Sequence, residues 1–162
     1  MTLAEKGTAL GGRVARECRL PGLAAWGRVR DYREQQLHQL PNVAVYFDSD
    51  LDAAAVLEFG VPRVVVATGA RWRADGLGHH RAQPMPIAAG AQVLTPDDIM
   101  AGTVPAEGAR VVVWDDDHYY MGGVIAEKLR GDGVEVTLVT PDPVVSSWTV
   151  LTLEQHLSLI HI

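Results

Sequence analysis

The sequence predicts an α/β fold in which parallel strands, joined by helical crossovers, are laid out in two consecutive units. Three observations predict it. Residues 61–67 (Val-Pro-Arg-Val-Val-Val-Ala) and 110–114 (Arg-Val-Val-Val-Trp) are continuous β-branched runs, the mark of strands buried on both faces. Residues 121–130 have the length of a helix and lie between two apolar runs, 110–114 and 135–140. A helix of that length between strands makes a right-handed crossover, which leaves the strands parallel.

The elements follow in order. Residues 2–5 (Thr-Leu-Ala-Glu) are strand-like but short, and they lead directly into a turn at Gly11-Gly12, as if an opening strand were cut. Residues 26–40 predict a helix, with Trp26, Val29, Leu37 and Leu40 on one side and Arg and Gln between them. Pro41-Asn42 ends it. Residues 43–47 read as a strand and 48–50 as a turn. Residues 51–59 form a short helical or turn segment that stops at Gly60.

After the strand at 61–67, Thr68-Gly69 closes it, and residues 71–90 read as a loop rich in Gly, Pro and His. Thr95-Pro96-Asp97-Asp98 marks a helix start, with Thr95 as cap and Pro96 at the first helical position. Strand 110–114, helix 121–130, turn 131–133 and strand 135–140 complete the second unit. This order is that of two consecutive nucleotide-binding folds. Residues 151–156 begin a helix, whereas 157–162 (Leu-Ser-Leu-Ile-His-Ile) end without a cap and read as a translated adaptor, not a native tail.

Composition sets limits. The net charge of −6 and the lack of a basic stripe argue against nucleic-acid binding, which requires a surface that neutralises phosphate. Cys18 is the single cysteine, so an internal disulfide is impossible, and a cluster needing about four cysteines cannot be held. Cys18 reads as a small buried residue in a reducing, cytoplasmic setting. No apolar run approaches the ~20 residues that span a bilayer, and the N-terminus lacks a signal pattern.

Several residues carry candidate chemistry. Glu5, at the end of its strand, can accept hydrogen bonds from ribose hydroxyls, or can be a solvated strand end. Gly11 and Gly12 allow conformations and close approaches that a Cβ would block, or form a plain turn. Ala67, Thr68 and Gly69 end a strand with small residues, which let the chain pass close to a pyrophosphate at the carboxyl edge of a parallel sheet, or form a strand-ending turn. The run Asp115-Asp116-Asp117-His118 holds oxygen and imidazole ligands. Consecutive residues at a strand end point to alternate sides, so a solvated turn or helix cap is the expectation and no metal is assigned. His79-His80 reads as exposed loop with too few ligands nearby for zinc. Trp148 reads as a core residue, with an exposed docking aromatic as the alternative.

Leu3-Ala4-Glu5-Lys6, Gly11-Gly12-Arg13 and residues 64–70 resemble the nucleotide domain of flavoprotein disulfide reductases. More narrowly, Leu20-Pro21-Gly22-Leu23, Arg30-Asp31-Tyr32-Arg33, Ala70-Arg71-Trp72, Leu94-Thr95-Pro96-Asp97-Asp98, Asp117-His118-Tyr119-Tyr120-Met121 and Thr152-Leu153-Glu154 are similar to the trimethylamine and dimethylamine dehydrogenases. That resemblance runs from about Thr2 to Gln155. It implies residues 1–105 as an FAD/NAD(P)-binding Rossmann-like domain lacking its first strand and phosphate loop. It implies 106–156 as the first βαβ unit of a second such domain.

The resemblance also implies the chemistry. The family joins an Old Yellow Enzyme-like barrel with FMN, cysteines for a 4Fe-4S cluster, and two glutathione-reductase-like domains. This chain matches only the last part, so no catalytic residue carries over. Glu5 matches the ribose-binding acid, Gly11, Gly12 and Arg13 the turn beside it, Leu51 the stretch near adenine, and Ala67, Thr68 and Gly69 the pyrophosphate edge. The ligand there is ADP in amine dehydrogenases and FAD in the dienoyl-CoA reductase branch. A small amine substrate, an electron-transferring flavoprotein as partner and a homo-oligomeric full-length enzyme are further implications.

The segment 114–123 decides between branches. A working NAD(P)H site needs glycines where the backbone meets the pyrophosphate. Here stand three carboxylates and two tyrosines, which repel and fill. The expectation is therefore an amine dehydrogenase. An NADPH-dependent enoate or dienoyl-CoA reductase is the first alternative, and a non-catalytic nucleotide-binding or scaffolding module the second. The chain alone is expected to be inactive and to bind ADP weakly or not at all.

Overall fold

A computed structural model of the chain describes residues 1–80, 82–106 and 108–155. Among the described residues the fold is mixed α/β with two small parallel sheets. It divides into two compact units, one made of residues 1–19 and 23–70, the other of residues 20–22 and those from Arg71 onward.

In the first unit, β1 (Thr2–Ala4) and β2 (Ala44–Tyr46) pair in parallel, with Leu3 opposite Val45. Between them come a short helix α1 (Val14–Glu17), a 3₁₀ turn (Ala24–Trp26) and α2 (Gly27–Gln39). The predicted stop of α2 holds. Leu40 leaves the helical region at φ −94° and ψ 102° because it precedes Pro41, whose ring disfavours a helical neighbour. The predicted apolar side of α2 is only half covered, with Val29 and Leu40 exposed and Trp26 and Leu37 half-buried. Helix α3 (Ala53–Glu58) is capped by Asp52, whose side chain accepts from the Ala55 N–H at 2.8 Å.

Residues 61–67 depart from expectation. They form no strand and are exposed throughout, with Val65 at 90%. A β-branched run reports a preference for a pleated, covered surface. A strand exists only where a neighbour supplies the ladder, and β1 and β2 pair only with each other among the described residues.

In the second unit, residues 71–90 run as loop, as predicted, and the backbone Trp72 N–H donates to Asp97 Oδ2 at 2.9 Å. Helix α4 (Pro96–Met100) starts on a full capping box. Thr95 Oγ1 accepts from the Asp98 N–H while the Asp98 carboxylate accepts from the Thr95 N–H, and Pro96 opens the helix. Strands β3 (Arg110–Trp114) and β4 (Glu135–Val139) are parallel, with Val112 opposite Thr137, and α5 (Met121–Gly131) crosses between them.

Helix α5 packs on both strands and buries Met121, Ile125, Ala126 and Leu129, which recur along one face. Its C-terminal end is a left-handed glycine cap: Gly133 holds φ +84°, the Gly133 N–H donates to Arg130 O, and the Val134 N–H donates to Leu129 O. Strand β3 is not buried on both faces as predicted. Its residues alternate, one face under α5 and the other carrying exposed Val112 and Trp114.

Two further expectations change. Over 151–154 the predicted helix is replaced by the end of a 3₁₀ turn, Ser147–Thr152, which stops at Leu153 with φ +61°, whereas Gln155 is helical. His156 and the tail 157–162 lie outside the described residues. Trp148 is not a core residue. It is half-exposed, with its ring centroid 5.8 Å from that of His79 and 6.0 Å from that of His118. Cys18 is half-buried, its thiol 3.6 Å from Ala15 O. No described helix is long and apolar enough to cross a membrane.

Candidate functional site

The predicted nucleotide-contact residues all belong to the first unit, and its local hydrogen bonding gathers them into two groups. The first lies at the carboxyl ends of β1 and β2, the edge at which parallel sheets bind ligands. The Glu5 N–H donates to Tyr46 O at 2.8 Å, and Glu5 O accepts from the Ser49 N–H at 2.9 Å. Lys6 Nζ meets Asp50 Oδ2 at 2.7 Å, which ties the stretch after Glu5 to the stretch before Leu51. The Glu5 carboxylate accepts from the Gly7 N–H at 2.8 Å through Oε1.

The second group joins two glycine turns. Gly11 and Gly12 take φ +109° and +47°, and Gly69 takes φ +77°. At Gly11 a Cβ would fall 2.6 Å from Cδ of Arg30, so this glycine lets α2 pack on the turn. Beside Gly12 and Gly69 the space is open to at least 4 Å. Between these turns, Arg13 Nη2 donates to Ala70 O at 2.9 Å, although the residues are 57 apart in sequence. Arg13 Nε also faces the buried Glu17 carboxylate at 3.8 Å. Leu51, Ala67 and Thr68 are exposed.

These residues thus form two glycine turns with open space beside them, joined by one arginine. Backbone with positive φ and no Cβ allows the approach a phosphate requires.

In the second unit, the run after β3 folds inward. Asp115, Asp116 and His118 are all buried, against the expectation of a solvated turn. Asp115 Oδ1 accepts from the N–H groups of Asp117 and His118, both at 3.2 Å. Burial pushes the Asp115 carboxyl above its ordinary range despite these donors. Its Cγ lies where a Cβ on Gly122 would approach to 2.4 Å, so this carboxyl group packs on the first turn of α5. Tyr119 and Tyr120 stand edge-to-face beside it in sequence, their ring centroids 5.0 Å apart. Gly122, in the first turn of α5, therefore faces an acid, not open space.

The loop residue His80, read from the sequence as having too few ligands nearby, reaches this run. Its Nδ1 is 2.9 Å from Asp116 Oδ1 and 2.7 Å from His118 Nε2, and its N–H donates to Asp116 Oδ2 at 3.3 Å. Burial would raise the Asp116 carboxyl, but these bonds outweigh it and hold the group below the ordinary range. The missed signal is the spacing Asp116-x-His118. Alternation separates neighbours but puts residues two apart on the same side.

Comparisons with known proteins agree with this architecture. Residues 94–159 match the model of the OYE-like second alpha/beta domain. The chain is 37% identical to dimethylamine dehydrogenase of Hyphomicrobium sp. (strain x) over 137 residues, covering 80% of this chain and 18% of that protein. Among solved structures, histamine dehydrogenase from Rhizobium sp. 4-9 is 55% identical with a TM-score of 0.94, over 98% of this chain and 25% of that one. The 6-hydroxypseudooxynicotine amine oxidase of Pseudomonas geniculata N1 is 46% identical with a TM-score of 0.92, over 98% of this chain and 24% of that one. A 2-naphthoyl-CoA reductase, at 19% identity and a TM-score of 0.67, shares the fold. The chain thus spans a quarter or less of the length of these relatives. Along that length it is a homologue of the trimethylamine/dimethylamine dehydrogenase-like flavoproteins.

Proposed function

We propose that this chain supplies the ADP- or FAD-holding region of a flavin-dependent amine dehydrogenase. The whole protein would oxidise a small amine and pass electrons onward without a nicotinamide. The observation that carries the nucleotide reading is the Arg13–Ala70 hydrogen bond, which ties the turn at Gly12 to the turn at Gly69, both with open space beside them. Glu5, at the carboxyl end of β1, is the ribose acceptor in this reading, and Leu51 flanks the adenine. In the same reading, residues 1–105 form an incomplete Rossmann-like domain and 106–156 the start of a second.

The second unit supports the choice of branch. The Asp115 carboxyl group packs against Gly122 at the entrance of α5, where a nicotinamide dinucleotide would place its pyrophosphate. Negative charge and lost space both oppose that ligand. The exposed valines at 64–66 suit a surface that the remainder of a longer protein covers. FMN, the 4Fe-4S cluster, the amine pocket and an electron-transferring flavoprotein partner belong to that remainder, and the chain alone has no dehydrogenase activity.

Heteronuclear NMR with ADP and, separately, NADPH tests this. ADP is expected to bind weakly and to shift the amides of Glu5, Gly12, Arg13 and Gly69, while NADPH leaves residues 119–123 in place. Shifts confined to the start of α5, or no ADP response at any concentration, would reject the reading.

A further inference from the structure

Within the second unit, three ligand atoms from two separated segments form a small triangle. His80 Nδ1 and His118 Nε2 lie 2.7 Å apart, and they stand 2.9 and 3.1 Å from Asp116 Oδ1. These are groups suited to holding a cation, and all belong to one compact unit. His118 is fully buried, Asp116 is nearly so, and the His80 ring closes the open side.

Protons alone cannot satisfy this triangle. One ring N–H can reach both other atoms as a bifurcated donor, which leaves the third edge as two lone pairs facing each other. If both rings donate to Asp116 Oδ1, the 2.7 Å edge becomes two N–H groups face to face. At most two of three edges are served in either arrangement. A cation at the centre serves all three, because each atom then offers it a lone pair.

The dimensions agree with that filling. With metal–ligand bonds of about 2.0–2.1 Å, three ligands at right angles stand about 2.9 Å apart and three tetrahedral ligands about 3.3 Å apart. The observed edges of 2.7, 2.9 and 3.1 Å bracket the first value.

The surroundings supply an independent sign. Metal-bound imidazoles hand their outer nitrogen to a carboxylate or carbonyl, which fixes the ring and raises its basicity. Here one carboxylate faces the outer nitrogen of both rings. Asp142 Oδ2 is 3.3 Å from His118 Nδ1 and Asp142 Oδ1 is 3.6 Å from His80 Nε2. Thr140 Oγ1 adds a contact to His118 Nδ1 at 3.4 Å, and Ser147 Oγ bonds to Asp142. His118 also holds φ +60°, a backbone state that non-glycine residues adopt at a cost and that its surroundings must maintain.

We infer that His80, Asp116 and His118 form a binding site for one divalent first-row transition cation, bound through two imidazole nitrogens and one carboxylate oxygen. Asp142 faces the outer nitrogen of each ring. Two imidazoles and a carboxylate suit Zn²⁺, Fe²⁺ or Co²⁺ better than Mg²⁺ or Ca²⁺, which prefer oxygen-only sets. Three protein ligands leave further coordination positions open to water. The site is independent of the nucleotide reading, since its residues belong to the other unit.

The test uses the full chain, freed of metal with chelator and titrated with Zn²⁺ by calorimetry and with Co²⁺ by visible absorption. One equivalent of each is expected to bind, with Co²⁺ bands showing nitrogen ligation. His80→Ala sits in an exposed loop and should leave the circular dichroism unchanged while weakening binding at least about 100-fold, as loss of one of three ligands requires. Asp142→Asn should weaken it about 10- to 100-fold, the usual effect of losing a partner to a ligating ring. His38→Ala, on α2 in the other unit, should change nothing. The inference is overturned if no stoichiometric binding appears, or if His80→Ala binds as tightly as the parent. Mg²⁺ competing at equal concentration would overturn the assignment of the cation class.

Discussion

The carboxyl group of Asp115 rests on the α-carbon of Gly122, so closely that a Cβ at 122 would lie 2.4 Å from Asp115 Cγ and 2.6 Å from its Cβ. Neither neighbour can yield cheaply. Asp115 is held by two backbone N–H groups, and Gly122 is fixed in the first turn of a buried helix. The entrance of α5 is therefore closed by packing as well as by charge.

Gly122→Ala should destabilise the fold by about 1–3 kcal/mol, the range for forcing atoms into a filled site. Chemical denaturation followed by circular dichroism would measure it. Adding Asp115→Ala should recover part of that loss, because the clashing carboxyl group is gone. Additive losses in the double variant would show that the two residues do not oppose each other as described.

The capping box of α4 offers a simpler test. Thr95→Ala removes the oxygen that accepts from the Asp98 N–H and should cost about 1 kcal/mol. Thr95→Ser should cost much less, because the acceptor remains. Equal losses from both variants would mean that the methyl group, not the cap, sets the stability.

Asp98 gives the same cap a pH dependence. The Thr95 N–H and hydroxyl hold its carboxyl below the ordinary range in the folded chain. A carboxyl with a depressed folded value stabilises above its unfolded value, and that contribution fades as pH falls through the folded value. The stability difference between the parent and Asp98→Asn should therefore be constant at neutral pH and shrink below the ordinary carboxylate range. A difference that grows on acidification would reverse the assigned sign.

The exposed run at 64–66 predicts behaviour in solution. Val65→Thr keeps the β-branch while removing an apolar methyl from a side chain that is 90% exposed. Stability should stay within about 0.5 kcal/mol, as for surface changes elsewhere. Binding of a hydrophobic dye should fall. A large loss of stability would show that Val65 is covered.

Much of the second unit was legible because its signals are local. Thr95-Pro96-Asp97-Asp98 states a helix start within four residues, and Gly131 to Gly133 state a helix end within three. The crossover between β3 and β4 needs only apolar runs and a helix of the right length. The first unit was less legible because its strands depend on distant partners. Residues 61–67 carry the composition of a strand, yet composition cannot provide the ladder. The small helix at Val14–Glu17 has too few residues to show a period.

The candidate sites divide in the same way. Gly12, Arg13 and Gly69 were marked by residue type, but the Arg13–Ala70 bond that joins them spans 57 residues and leaves no local trace. Asp116 and His118 were visible as neighbours, whereas His80 arrives from 36 and 38 residues away through a loop without periodicity. Reading the acidic run as solvated failed because burial of polar residues is set by what folds over them, and the sequence of the run itself does not say.

Each two-stranded sheet has a further consequence. The Asp115 N–H donates to Val139 O across the ladder, so the amides of Val113 and Val111, two and four residues earlier, point the same way. Those of Val112 and Trp114 point to the opposite edge, where no described strand lies. Deuterium should therefore enter β3 in a strict alternation, fast at Val112 and Trp114 and slow at Val111, Val113 and Asp115. Any added strand that silenced the fast pair would reveal itself one amide at a time.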